Sequence, residues 1–175
     1  HPSVPAASVK EFVALARSRP GKLTFGTSGV GTSHHIAAEL FMAMTGVNMV
    51  HIPYKGGAPA LIDTVGGQVD LMFETAPTAI PHVKSGKLKA LAVTTLQRSG
   101  MLPDVPTLSE VGLKGYEFRG WIGLVAPAAT PKDIVAKLHA EVQKAISGDL
   151  RKRLTELGLD VAGGTPEQFA AFMRE

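Results

Sequence analysis

The sequence predicts an α/β fold on a mainly parallel sheet flanked by helices, and three observations carry that prediction. Short apolar runs begin at Leu23, Val47, Val69 and Leu88, about two dozen residues apart, and each is followed by a helical pattern. This is the repeat of βαβ units joined by right-handed crossovers. Turn signals such as Pro20-Gly21 and Gly66-Gly67 separate the runs. The 175 residues, 45% hydrophobic and 19% charged, are enough for one good core, or for one domain and part of another.

The elements follow in order. Ser8-Val9-Lys10-Glu11 reads as a capping box opening a helix that carries Phe12, Val13 and Leu15 and stops at Pro20-Gly21. A strand over 23–25 runs into a Gly/Ser/Thr loop, Gly26 to Ser33, and then a helix with Ile36, Leu40, Phe41 and Met44 on one side. Val47 to Ile52 is expected as a second strand, with Tyr54 to Gly57 as its loop and a helix over 58–65. Val69 to Phe73 is expected as a third, with Glu74 to Thr78 as its loop and a short helix ending near Gly86. Leu88 to Thr94 is expected as a fourth strand.

After Gln97 the pattern changes. A Pro-rich loop covers 101–106, and Thr107-x-x-Glu110 is expected to cap a short helix ended by Gly112. Phe118 to Ala126 is apolar and holds the only tryptophan, Trp121. Thr130-Pro131 starts a long helix with Ile134, Leu138, Val142 and Ile146 along one face. A basic helical stretch over 149–157, a short strand over 159–161 and a last helix capped at Thr165-Pro166-Glu167 complete the chain. The expected division is 5–117 for one α/β lobe and 118–175 for a crossover and part of another.

In a parallel sheet the loops leaving the carboxyl ends of the strands gather on one edge, where ligands bind. The loops at 26–33, 54–57 and 74–78 should therefore share a crevice. A glycine-rich turn opening into a helix leaves backbone N–H groups unpartnered at the positive end of the helix dipole, which favours an anion. Thr27, Ser28, Thr32 and Ser33 add hydroxyls there. Sharper motifs fail. Thr32 stands where a P-loop needs lysine, His34 where a dinucleotide fingerprint needs its third glycine, and Gly26-Thr27-Ser28-Gly29-Val30 breaks a nucleophile elbow. Binding of a small anion remains, beside the simpler reading of a tight strand-to-helix turn without a ligand.

Composition narrows the rest. A net charge of +3 from scattered Lys and Arg, with 6% aromatics, argues against nucleic acid. Zero cysteines exclude disulfides, thiol catalysis and Cys-based metal sites. His34 and His35 are adjacent and point about 100° apart on a helix, so they cannot chelate one ion. His51 and His82 have no acid or histidine at ligand spacing, and no metal or cofactor is expected. Glu74 is either an acceptor for a ligand hydroxyl or amine, or a solvated loop acid. Lys55 is either a partner for a ligand carboxylate or an exposed loop lysine. Asp63 and Asp70 read as a helix-surface and a strand-end residue. No nucleophile, base and orienter can be assembled. The first residue is not Met and no signal peptide is present, so processing or truncation upstream is expected.

GTSGVGTSHHIAAELF, VHIPYKGGAPALIDTVGGQVDLMFE, PHVKSGKLKALAVTT, LPDVPTLSEVGL and GGTPEQFAAF occur in that order. In these motifs the chain resembles the Bug receptors, the TctC-type periplasmic solute-binding proteins of tripartite tricarboxylate transporters, over essentially its whole length. The resemblance implies a type II periplasmic-binding-protein-like fold of two α/β lobes. The second lobe lies at about 5–117, and the first lobe is partial, without its N-terminal βαβ portion. It implies a periplasmic receptor rather than an enzyme, capturing a small organic carboxylate (di- or tricarboxylate, amino acid or aromatic acid) for the transporter's membrane components or as an orphan. The site residues it implies are Ser28, Gly31, Thr32, Ser33 and His34, then Tyr54, Lys55 and Gly56, then the residue matching Glu74. The alternatives are a transferase or hydrolase using the same loop, and a truncated fragment that does not bind. The apolar faces of the partial lobe are expected to pair with a second copy.

Overall fold

The computed structural model describes residues 1–174 and divides into two compact units, His1–Gly120 and a second that begins at Trp121. In the first unit, α1 (Val9–Ser18) is capped by Ser8, whose hydroxyl accepts from Glu11 N at 3.2 Å, while Glu11 Oε2 reaches back to Ala7 N at 2.8 Å. Then follow β1 (Thr24–Thr27), α2 (Ser33–Thr45), β2 (Val50–Pro53), α3 (Gly57–Val65), β3 (Leu71–Met72) and α4 (Ala76–Lys84). The sheet is parallel throughout, in the order β2-β1-β3, with Phe25 opposite both His51 and Leu71.

The core is built from α1, β1 and α2. Phe12, Phe25 and Phe41 are buried with Val9, Ala16, Leu23, Ala38 and Met49. Phe41 packs tilted on Phe12 at 6.1 Å and on Phe73 at 5.7 Å. Tyr116 is fully buried and donates its hydroxyl to Ala37 O at 2.8 Å, which pins the end of this unit to α2. The inward face of α2 is Ala37, Ala38, Phe41 and Thr45. Ile36 and Met44, expected on that face, are exposed, because the helix is rotated to seat small alanines against the sheet.

Several expected elements are shorter or absent. β3 starts only at Leu71, because the Asp70 carboxylate takes Thr24 N at 2.7 Å, so a side chain stands in for the ladder. β2 starts at Val50, since Asn48 O is drawn to Gly21 N at 2.9 Å in a loop contact. The fourth strand over 88–94 does not form. Val93 makes only an isolated parallel bridge with Thr107, and Thr94 O accepts from Phe118 N. Lys89 Nζ donates to Val4 O and Ala6 O at 2.7 and 2.8 Å, holding this segment to the N-terminal stretch instead of to the sheet. Thr107 and Glu110 do exchange capping-box bonds at 3.0 Å, yet they close a turn and no helix, with Gly112 at φ +109 just beyond.

The second unit carries α5 (Lys132–Ser147), α6 (Asp149–Glu156) and α7 (Pro166–Phe172). Thr165 caps α7 as expected, in a capping box with Gln168. Residues 159–161 form no strand, and Val161 O accepts from Arg151 Nη2 at 3.1 Å. On α5, Val142 and Ile146 are half-buried, whereas Ile134 and Leu138 are exposed. His139 and Gln143 both bond Gly164 O at 2.8 Å, so α5 meets the following loop through a polar edge. Among the described residues no helix is long and apolar enough to cross a membrane.

Candidate functional site

Because β1, β2 and β3 are parallel, the loops that follow them leave one edge of the sheet, and each opens a helix there. The loop after β1 is held by its own atoms. Thr32 Oγ1 donates to Gly29 O at 2.8 Å, and the fully buried Thr27 hydroxyl bridges Gly29 N and O, each at 3.2 Å. Gly29 and Gly31 have φ of +133° and +77°, the left-handed side where a Cβ is disfavoured. Tyr54 N donates to Thr27 O at 3.0 Å, and a Cβ on Gly29 would lie 3.5 Å from Tyr54 O, so the first two loops are in contact.

No side chain caps α2 at Thr32 or α3 at Gly56. The N–H groups of their first turns therefore face the shared edge unpaired. The third helix is treated differently. Glu74 Oε1 accepts from Thr75 N at 2.8 Å, Thr75 Oγ1 at 3.0 Å and Thr78 Oγ1 at 2.8 Å. These contacts are made at Thr75, which precedes the first turn, and with the Thr78 hydroxyl, so a carboxylate of the protein lies beside the start of α4 although no side chain caps that turn.

His34 stands where the three loops meet. Its Nε2 lies 3.6 Å from Glu74 Oε1, with only 11% and 8% of the two side chains exposed. That separation exceeds hydrogen-bond length and serves as an ion pair when the imidazole is protonated. A Cβ on Gly57 would lie 3.4 Å from His34 Cε1 and 3.9 Å from Glu74 Oε2, so α3 abuts both. His34 Nδ1 is buried with no hydrogen-bond partner, an unusual condition for a buried polar atom.

The expected residues fall into two groups. Ser28, Gly31, Thr32, Ser33, His34, Lys55, Gly56 and Glu74 lie on the loops and helix starts of this edge, with Ser33 and Lys55 exposed. The Thr27 and Tyr54 side chains are engaged behind it. Thr27 Oγ1 lies 2.6 Å from His51 Nε2. Tyr54 donates its hydroxyl to Asp63 Oδ2 at 2.6 Å, which pushes its pKa up to about 12. Sequence reasoning missed His35 and His51 as supports of this loop and Asp63 as the partner of Tyr54. Only the register of β2 against β1 and the turn of α2 bring those pairs together. The grooves beside α3 (Ala58, Leu61, Ile62, Val65, His82) and between α1 and Met44 lie off this edge. Among the described residues no cluster of three or more His, Asp or Glu is placed to hold a metal.

The model of the tripartite tricarboxylate transporter family receptor matches residues 1–175. A relative from Pseudomonas sp. (strain P51), described as the UPF0065 protein in the tcbD-tcbE intergenic region, is 41% identical over 95% of this chain and 52% of its own. The structure of R. palustris Rpa4515 with adipate superimposes with a TM-score of 0.93 at 37% identity, over 98% of this chain and 58% of that one. MatC (Rpa3494) from Rhodopseudomonas palustris with bound malate gives 0.85 at 37% identity, over 94% and 55%. The chain spans about half the length of the curated relatives it matches. The family model describes a receptor, and a further structural neighbour is described as the periplasmic binding protein BugD. By its sequence and by its parallel sheet with helices on the flanks, the chain belongs to the tripartite tricarboxylate transporter receptor family.

Proposed function

We propose that this chain supplies the carboxylate-holding jaw of a periplasmic receptor, which delivers a small organic acid to the membrane components of a tripartite transporter. One observation carries the reading. Three helix N-termini meet at one sheet edge, none with a side-chain cap on its first turn, and the protein's own carboxylate, Glu74, lies just ahead of the third. A ligand carboxylate then takes the N–H groups at Ser33 and His34 and at Gly56, with Ser28, Gly31, Thr32 and Lys55 beside it. Glu74 repels a second carboxylate placed next to it. The ligand group facing Glu74 is accordingly a hydroxyl or an amine, and His34 Nδ1 is available to a polar atom of the ligand. Adipate and malate, found in the structures of two relatives, are the natural first probes.

Calorimetry with these acids and their dimethyl esters tests the proposal. The acids should bind more tightly by roughly 1.5–3 kcal/mol, the worth of a charge-assisted hydrogen-bond set. Gly31→Val should weaken binding at least about tenfold, because φ of +77° costs an L-residue about 1–2 kcal/mol and a β-branched one more. Thr32→Ala, which loses one hydroxyl bond to Gly29 O, should cost about 1 kcal/mol. Equal binding of acid and ester, or wild-type affinity with valine at position 31, would sink the assignment.

A further inference from the structure

The glycine turn rests on a pair of stacked imidazoles. Gly31 N–H donates to His35 Nδ1 at 3.2 Å. His35 lies 4.2 Å from His51 in a stacked arrangement, and His51 stacks on the buried Phe25 at 4.9 Å. His51 Nε2 is 2.6 Å from Thr27 Oγ1, the atom that bridges both peptide groups of Gly29. The two residues with positive φ are thus tied, one directly and one through Thr27, to the same two rings. An imidazole nitrogen that accepts a hydrogen bond carries no proton, so the proton of neutral His35 sits on Nε2, 3.3 Å from Glu39 Oε1.

We propose that His35 and His51 are positioning residues for the ligand-binding turn, and that the turn is unlatched when His35 Nδ1 takes up a proton. The proposal rests on the reading of this turn as the ligand site. A protonated Nδ1 is a donor facing the donor of Gly31, so the contact turns from attraction to repulsion. The titratable groups around His35 are Glu39 on its own helix, His51 from β2, and His34 one residue back, which faces Glu74 from the loop after β3.

The experiment is nuclear magnetic resonance on the whole chain, with amide exchange of Gly31 and Gly29 and the ring nitrogen shifts read from pH 7.5 to pH 5. His35→Phe keeps the stacked ring and removes the acceptor. His35→Asn restores an acceptor atom where Nδ1 was. At pH 7.5, His35 should be the Nε2–H tautomer. Exchange of Gly31 should quicken about tenfold in His35→Phe, return toward the wild-type rate in His35→Asn, and quicken in the wild type, beyond the intrinsic pH effect, as the ring titrates. His51→Phe should loosen Gly29 in the same way. Ala38 and Phe41 amides serve as the folding control and should not change. An Nδ1–H tautomer at pH 7.5, or Gly31 exchange indifferent to both His35→Phe and pH, overturns the proposal. Titration of the same samples with malate and adipate keeps the two readings apart. Failure of every variant and the wild type to bind strikes the carboxylate assignment alone, because the exchange data need no ligand.

Discussion

His51 shows how burial of one ring sets a pH dependence. Desolvation first, and the neighbouring His35 second, lower its pKa from the ordinary 6.5, with Glu39 opposing. A depressed folded-state value means that the unfolded chain takes up the proton first. The stabilising effect of a neutral His51 is therefore complete above about pH 6.5 and is lost as pH falls through the folded value. Melting temperatures recorded between pH 7.5 and 5 should drop, and the drop should be smaller in His51→Gln; identical slopes in the two proteins would remove His51 as the cause. Such behaviour was not legible in the sequence, where His51 is a lone histidine in a strand. The glycines were legible, because Gly29, Gly31 and Gly56 sit where only a residue without a Cβ tolerates the backbone, at φ of +133°, +77° and +123°. The roles of Thr27 and Tyr54 were legible only as position. Their side chains turn to His51 and Asp63, partners set by strand register and by the face of α3.

Among the elements, the capped and periodic α1 and α7 form as the pattern says, whereas of the four apolar runs three give strands, two of them shortened, and the one at 88–94 gives none. Helices α1 and α7 have a polar cap and a period, and both appear with side-chain caps. The run at 88–94 has the composition of a strand, but strand pairing needs a neighbour with free N–H and C=O groups. Here those groups bond to the 106–118 turns, and Lys89 reaches Val4 O and Ala6 O. This assigns Lys89 a structural task. Hydrogen bonds made by a charged group are worth about 1.5–3 kcal/mol. Lys89→Met, which keeps the stem and drops the ammonium, should lower the unfolding free energy by roughly that amount in denaturant titration. The loss should leave any carboxylate affinity untouched, since these contacts involve none of the three loops at the ligand edge. A variant as stable as the wild type would show that the 88–94 segment is held by its apolar contacts instead.

For the molecule taken entire, the two units differ in how they bury apolar surface. The first has a core with Phe25, Ala16 and Tyr116 fully enclosed. In the second, α5, α6 and α7 bury no residue completely. Its order comes from Trp121, edge-on to Phe169 at 5.3 Å and to Phe172 at 6.0 Å, and from Gly123, where any Cβ would fall 2.3 Å from the Phe169 ring. Ile122, Leu124 and Val125 remain 91%, 77% and 75% exposed, and Leu138 and Phe172 about half. Apolar area left in water costs about 25 cal/mol per Å². A contiguous exposed run of this kind favours association. The partner always at hand is another copy, which can pack its 121–125 segment isologously. The 175-residue chain should accordingly sediment as a dimer or larger species at about 10 μM. Ile122→Lys with Leu124→Lys should return it to the monomer without lowering the melting temperature of the first unit, whose core contains neither residue. A wild-type chain that sediments as a monomer at that concentration would mean that the exposed run is too mobile or too dispersed to repay the entropy of pairing.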